Sequence, residues 1–386
     1  MHQTTGRGLY IHVPFCHQRC HFCAFYLEIH HPRAAEEFLG SLLTELRLYS
    51  EQRLFGSEPL QSVYFGGGTP TTLSPHQLAA VLSAVRDGFV LQNDAEITVE
   101  AHPESVTADS LSHLHEAGFT RISFGAESMN QTELDRVGRP GSPLSTLQVV
   151  AAARDAGFTD LNLDLMYGLP GQSIESWAAS LQQMVTLAPT HLSCYALTVE
   201  EDTHLRTAIQ RGLVPAPDEM LQNEMEDLAE ALLSRAGYAR YEISNYCRPG
   251  YASRHNQLHW TGGEYLGLGP SAQSYVAGRR FGNVSDLAAY NGYLRNGSLP
   301  VTESEQLTTA HEACERLVFG LRMTEGIPLR ETGATAFSGL VGKVDELIGD
   351  GILERYGERV RLTPTGRRYA DTVAVALLTS LETQPA

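Results

Sequence analysis

Between Leu9 and Cys23 the chain reads Leu9-Tyr10-Ile11-His12-Val13-Pro14-Phe15-Cys16-His17-Gln18-Arg19-Cys20-His21-Phe22-Cys23. A short apolar run rich in strand formers, Leu9 to Val13, stops at a proline, and three cysteines spaced C-x3-C-x2-C follow at once. Three thiolates on one short loop can ligate three irons of a cubane [4Fe-4S] cluster and leave the fourth iron open to a small ligand. The competing reading is a structural zinc, which needs a fourth protein ligand; His17 and His21 are the nearby candidates. The 386-residue chain has six cysteines, so half of them fall in this loop. Thiols that merely fill a core do not cluster in this way.

Outward from the loop, short β-rich runs alternate with amphipathic helical stretches to about residue 200, the pattern of βα units building a parallel sheet. Strands are expected at Leu9 to Val13, Ser62 to Phe65, Ile97 to Glu100, Arg121 to Phe124, Leu161 to Met166 and Leu192 to Leu197. Six are too few for an eight-stranded closed barrel. Ser74-Pro75 reads as an N-cap followed by a first-turn proline, and Gly118 and Gly157 end helices that begin near Thr107 and Ser145. From 203 to 300 the rhythm breaks into an irregular α+β region with a strand around Arg240 to Ile243. The segment 301–386 reads as helix (Thr308 to Leu321), helix (Phe337 to Ile348), two short strands near Leu353 and Arg361, and a terminal helix. That order is winged-helix-like, and its mixed charge suits packing against protein as well as nucleic-acid contact.

Composition sets outer bounds. Hydrophobic residues at 42% and charged residues at 19% exclude a disordered chain and a small disulfide-stapled scaffold. A formal net charge of −17 disfavours non-specific attraction to nucleic acid or anionic membranes. The N-terminus lacks a basic start followed by an apolar core, and no run of about 18 apolar residues occurs. A cytoplasmic location is therefore expected, where thiols stay reduced and clustered cysteines serve metals or catalysis.

Gly66-Gly67-Gly68-Thr69-Pro70 follows the second expected strand directly, so backbone there can approach a ligand at the C-terminal edge of a parallel sheet. Glu100, Glu127 and Asp164 are each expected at or just beyond a strand end, where carboxylates can accept hydrogen bonds from hydroxyl or amine groups of a ligand.

With these residues in view, the chain resembles the radical S-adenosylmethionine (SAM) superfamily. Within it, the chain is most similar to the oxygen-independent coproporphyrinogen III oxidase-like family, nearest its haem chaperone branch. The resemblance runs from Leu9 to about Thr365 and includes YIHVPFC from Tyr10, YFGGGTPT from Tyr64, DLMYGLPGQ from Asp164, YALTVEEDT from Tyr195, YEISNYCRPG from Tyr241 and HNQLHW from His255. It implies a partial (βα)6 radical SAM barrel over 1–202, with a [4Fe-4S] cluster on Cys16, Cys20 and Cys23. It also implies SAM on the unique iron, lined by Tyr10, Phe22, Gly67, Gly68, Thr69, Glu100, Glu127, Arg139, Asp164 and Ala196.

Arg254-His255-Asn256-Gln257-Leu258-His259-Trp260 is similar to the HNxxYW signature associated with haem in the chaperone branch. By that likeness His255 supplies an imidazole to haem iron, Trp260 a flat wall, and Arg248 or Arg254 a propionate partner. His259 replaces the family's tyrosine, and either adds a second candidate ligand or alters the pocket. Cys247 stands near enough in sequence to be a further haem contact, whereas Cys194 and Cys314 read as packing residues.

Two features separate the branches: Phe25 stands where the oxidase branch has another cysteine, and only 15 residues precede Cys16, too few for the oxidase's substrate-covering extension. The expected function is a haem chaperone that delivers haem to acceptor haemoproteins, respiratory ones in particular, with peripheral contact at membrane-bound acceptors and no nucleic-acid partner. The enzymatic alternative is oxygen-independent coproporphyrinogen III oxidase. A third reading is a radical SAM enzyme that modifies RNA or a peptide. Departures from the family pattern at His102, Glu127, Pro140, His259 and Gln273 bear on SAM cleavage, because a carboxylate replacing an amide changes charge and donor capacity.

Overall fold

The computed structural model describes residues 6–382, so residues 1–5 of the expected 1–202 region and 383–386 of the expected 301–386 region lie outside the described residues. All six expected strands form: β1 (Arg7–Val13), β2 (Leu60–Gly67), β3 (Leu91–Ala101), β4 (Arg121–Glu127), β5 (Asp160–Tyr167) and β6 (His191–Ala196). Each pairs in parallel with the next. Because helices cover the outer face and side chains fill the inner one, these strands carry near-continuous apolar runs. Leu9, Ile11, Val63, Phe65, Phe124 and Leu163 are all fully buried.

The sheet extends beyond the expected six at both edges. β7 (Ala239–Arg240) and β8 (Asn245–Cys247) continue it antiparallel past β6. At the other edge β9 (Glu264–Leu268) pairs in parallel with β1, and β10 (Gln273–Val276), β11 (Arg279–Asn283) and β12 (Val301–Gln306) follow antiparallel. Of the strand expected around Arg240 to Ile243 only Arg240 lies in one, and the ladder resumes at Asn245. Glu242, buried, accepts from the Ser244 backbone N–H at 3.2 Å and from the Asn245 side chain, which closes a turn in what would have been the strand.

Local signals explain the helix ends. Ser74 and Gln77 form a reciprocal capping box at the start of Pro75–Gly88, and Thr107 with Ser110 does the same for Ala108–Ala117. The helix expected to start near Ser145 begins at Pro143, because Ser142 caps it by accepting from the Ser145 N–H. Gly118 ends its helix in the left-handed region at φ 97°, which L side chains avoid.

The C-terminal segment contains helices Thr309–Gly320, Ser338–Gly349 and Ala370–Glu382. An antiparallel sheet of Ile327–Pro328, Arg359–Leu362 and Leu353–Tyr356 packs with them over a separate core that includes Leu317, Leu340, Val344 and Leu377. Among the described residues no helix is long and apolar enough to cross a membrane.

Candidate functional site

The cysteine loop leaves the C-terminal end of β1 and is pinned at both ends. Phe15–Cys16 pairs in parallel with Glu28–Ile29, the Glu28 N–H donates to Pro14 O at 2.6 Å, and the His30 N–H donates to Cys16 O at 2.8 Å. Inside the loop, Arg19 donates to the carbonyls of Cys23 (3.2 Å), Phe25 (3.4 Å) and Leu27 (3.1 Å), gathering the segment around one guanidinium. Cys16 Sγ lies 3.3 Å from Thr69 Oγ1, and Arg139 Nη1 donates to Cys20 Sγ at 3.4 Å. Burial pushes the Cys16 and Cys23 thiols up, and the neighbouring Cys20 adds to the rise of both. Metal binding releases such protons, so a cationic cluster suits this set.

Among the described residues no group of three or more His, Cys, Asp and Glu side chains is already arranged to hold a metal ion. Cys16, Cys20 and Cys23 are all free thiols on one loop, the donor set from which each of three cubane irons would take one ligand. The two histidines weighed as fourth zinc ligands pack elsewhere: the His17 ring meets His30 at 5.2 Å, and His21 stacks on His204 at 5.7 Å.

The glycine run seats the loop. A Cβ on Gly68 would fall 2.6 Å from Phe15 O, so only glycine permits this backbone approach. The Gly68 and Thr69 N–H groups donate to Val13 O (2.9 Å) and Phe15 O (2.7 Å), and these donors are therefore engaged by the chain itself.

Three carboxyls gather beyond the glycines, Glu127 buried and Glu100 and Asp164 half-buried. Glu100 accepts from Tyr64 O–H at 2.7 Å, and burial pushes it up to about 7. Glu127 ends β4 beside a bulge at Gly125, with φ 64°, a conformation that costs an L residue roughly 1–3 kcal/mol. It accepts from Tyr195 O–H at 2.8 Å and lies 3.6 Å from Arg139 Nη2; burial raises it and Arg139 opposes that rise. Asp164 was expected at a strand end but sits within β5, where it accepts from Asn162 Nδ2 at 2.6 Å. Its charge raises both Glu100 and Glu127, so the three share one field.

The other residues expected at the SAM region are spread more widely. Tyr10 stacks on Tyr64 at 6.2 Å, and Ala196 ends β6 opposite Tyr167. The Phe22 ring packs into an apolar cluster with Val137, Met166, Leu169 and Leu205. His102 Nε2 is buried without a partner, and burial followed by the Arg139 charge pushes the ring down to about 3.

HNQLHW lies in the helix Arg254–Trp260. A residue that drew no notice in the sequence holds its start: Glu96 of β3, buried, accepts from the backbone N–H groups of Arg254 (2.8 Å) and His255 (3.2 Å) and from Ser253 O–H (3.2 Å). His255 is 3% exposed, with Nδ1 2.9 Å from Ser62 Oγ and its ring stacked on Tyr64 at 4.9 Å. His259 instead borders two cavities. One, of about 320 Å³, is lined by Tyr10, His12, Phe25, Tyr26 and Gln273 among others. The second, of about 190 Å³, shares His259 and Tyr265 and reaches Trp260, Arg316 and Phe319.

The proposed propionate partners border neither cavity: Arg254 pairs with Asp94 at 3.0 Å, and Arg248 stands over Tyr238 at 4.6 Å. Cys247 is likewise buried in β8, its thiol pushed up to about 11 by burial.

Residues 10–184 match the Radical SAM superfamily, and residues 307–369 match the HemN C-terminal domain. A parallel α/β sheet with a three-cysteine loop after its first strand is the architecture of a radical SAM protein. Over 382 residues the chain is 38% identical to "Heme chaperone HemW" of Mycobacterium tuberculosis, covering 96% of this chain and 94% of the relative. The HemW of Escherichia coli is 32% identical over 378 residues, covering 95% and 96%, and that of Bacillus subtilis 30% over 380, covering 97% and 100%. The chain belongs to the HemN-like radical SAM family, on its HemW branch. Among solved structures it is similar to coproporphyrinogen III oxidase (HemN) of Escherichia coli, with a TM-score of 0.82 over 96% of this chain and 90% of that one; at 24% identity the likeness is one of fold.

Proposed function

We propose that this chain is a haem chaperone that carries a SAM-ligated [4Fe-4S] cluster and passes haem to acceptor haemoproteins. The observation that carries the reading is its likeness, over 96% of its length, to a relative named as a haem chaperone. Cys16, Cys20 and Cys23 hold the cluster, whose open iron supplies the anchoring point for SAM. Glu100, Glu127 and Asp164 accept from the hydroxyl and amine groups of that ligand, and Arg139 compensates their charge. Tyr10, Phe22, Gly67, Gly68, Thr69 and Ala196 complete the lining, the glycines by bringing the loop and β2 into backbone contact.

Haem occupies the aromatic-walled space beside the Arg254–Trp260 helix, with Trp260 as a flat wall. Residues 1–202 then form the cluster and SAM part, 203–300 the haem part and 301–386 a winged-helix-like packing domain. The setting is cytoplasmic, the acceptors are respiratory haemoproteins met peripherally at the membrane, and nucleic acid is not a partner.

The fold likeness to coproporphyrinogen III oxidase favours one second reading, decarboxylation of coproporphyrinogen. Two anaerobic assays on the reconstituted protein separate them. Transfer of bound haem to an apo-haemoprotein supports the chaperone, and formation of protoporphyrinogen overturns it.

A further inference from the structure

This inference rests on the haem reading above and asks which side chain meets the iron. His255 and His259 lie one helical turn apart with their Nε2 atoms 3.4 Å from each other. Both ring nitrogens of His255 are occupied, Nδ1 by Ser62 and Nε2 by His259, and the residue borders neither cavity. His259 differs on each point. Its ring borders both cavities and meets Tyr265 edge-on at 4.2 Å, and among the described residues its Nδ1 has no hydrogen-bond partner.

We propose that His259, through Nδ1, is the protein ligand to haem iron, and that His255 is the positioning residue that accepts the His259 Nε2–H. Two neutral imidazoles facing through Nε2 share a single proton between those atoms. When His255 Nδ1–H donates to Ser62 Oγ, its Nε2 is an acceptor, His259 Nε2–H donates to it, and the His259 Nδ1 lone pair is left for a metal. Holding the distal N–H of a ligating histidine in this way fixes its tautomer and raises the basicity of the ligating nitrogen.

The surroundings fit the same group. Next along the chain, Trp260 lines the smaller cavity, and its Nε1 is buried without a hydrogen-bond partner. The HNQLHW segment thus divides its labour: the first histidine is built into the scaffold and the second faces the space.

The test is titration of the purified full chain with ferric haem, followed by desalting and optical and electron paramagnetic resonance spectra. Expected are nitrogen ligation in the unmodified protein, its loss in His259→Ala with haem binding weakened about tenfold or more, and its return on adding free imidazole. His255→Ala is expected to keep nitrogen ligation with an altered ligand field. Unchanged spectra in His259→Ala, or loss of ligation in His255→Ala alone, overturn the assignment while leaving the haem reading intact. If the unmodified protein retains no haem, the haem reading falls first. Should either variant misfold, electron–nuclear double resonance on unmodified protein carrying Nδ1-labelled histidine decides: coupling to the label supports Nδ1 ligation, and its absence overturns it.

Discussion

Arg139 donates to Cys20 Sγ at 3.4 Å while its other terminal nitrogen lies 3.6 Å from Glu127 Oε1, so one buried guanidinium joins the cysteine loop to the acids of the barrel. Removing it leaves Glu127 as a buried, uncompensated acid. Arg139→Met is expected to cost about 3–5 kcal/mol in urea denaturation and to lower iron and sulfide content after anaerobic reconstitution several-fold. Full cluster content at unchanged stability would contradict this role.

Glu45, on the Pro32–Gln52 helix, is fully buried and accepts from Gly269 N–H (2.9 Å), Asn283 Nδ2 (2.6 Å) and Tyr290 O–H (2.6 Å). Burial pushes it up to about 7 from 4.5. The folded chain then binds this proton more tightly than the unfolded one, so the contribution is complete below about pH 4.5 and is lost as pH rises toward 7. The fall amounts to about 3 kcal/mol. Glu100, raised to about the same value, adds a slope of the same sign. Glu45→Gln should therefore reduce, without abolishing, the loss of stability between about pH 5 and pH 7 in urea titrations; an unchanged slope would refute the account.

Glu96 spans β3 and the Arg254–Trp260 helix. Glu96→Ala orphans two backbone N–H groups and the Ser253 hydroxyl, and is expected to destabilise by about 3 kcal/mol. Because the cysteine loop is held by its own pairing with Glu28–Ile29, cluster content should be retained while haem uptake falls. Loss of both together would show that the helix and the loop are not separable in this way.

Single alanine variants at Cys16, Cys20 and Cys23 should each abolish a stable cluster. Cys194 and Cys314 are buried in β6 and in the Thr309–Gly320 helix, and alanine there should cost about 1 kcal/mol in stability with cluster content unchanged. Iron and sulfide analysis across the five variants checks the division.

Much of this was legible in sequence because it is local. The six parallel strands announced themselves as short apolar runs, the capping boxes as serine and threonine at helix starts, and the loop as three clustered cysteines. What escaped was set by partners distant in the chain. Glu45 reads as one more acid on a helix, and its three donors lie more than two hundred residues away. Glu96 reads as a strand acid, yet it organises a helix about 158 residues on. β9 returns to pair with β1 through a register that no local pattern encodes. In HNQLHW the motif drew attention to both histidines, but only Ser62, from β2, separates the built-in one from the one at the cavities.

The most direct test of the central claim is haem retention. Anaerobically reconstituted protein mixed with haem and desalted is predicted to keep stoichiometric haem, seen as a Soret band that scales with protein. No Soret band after desalting, from protein with a complete cluster, would contradict the account.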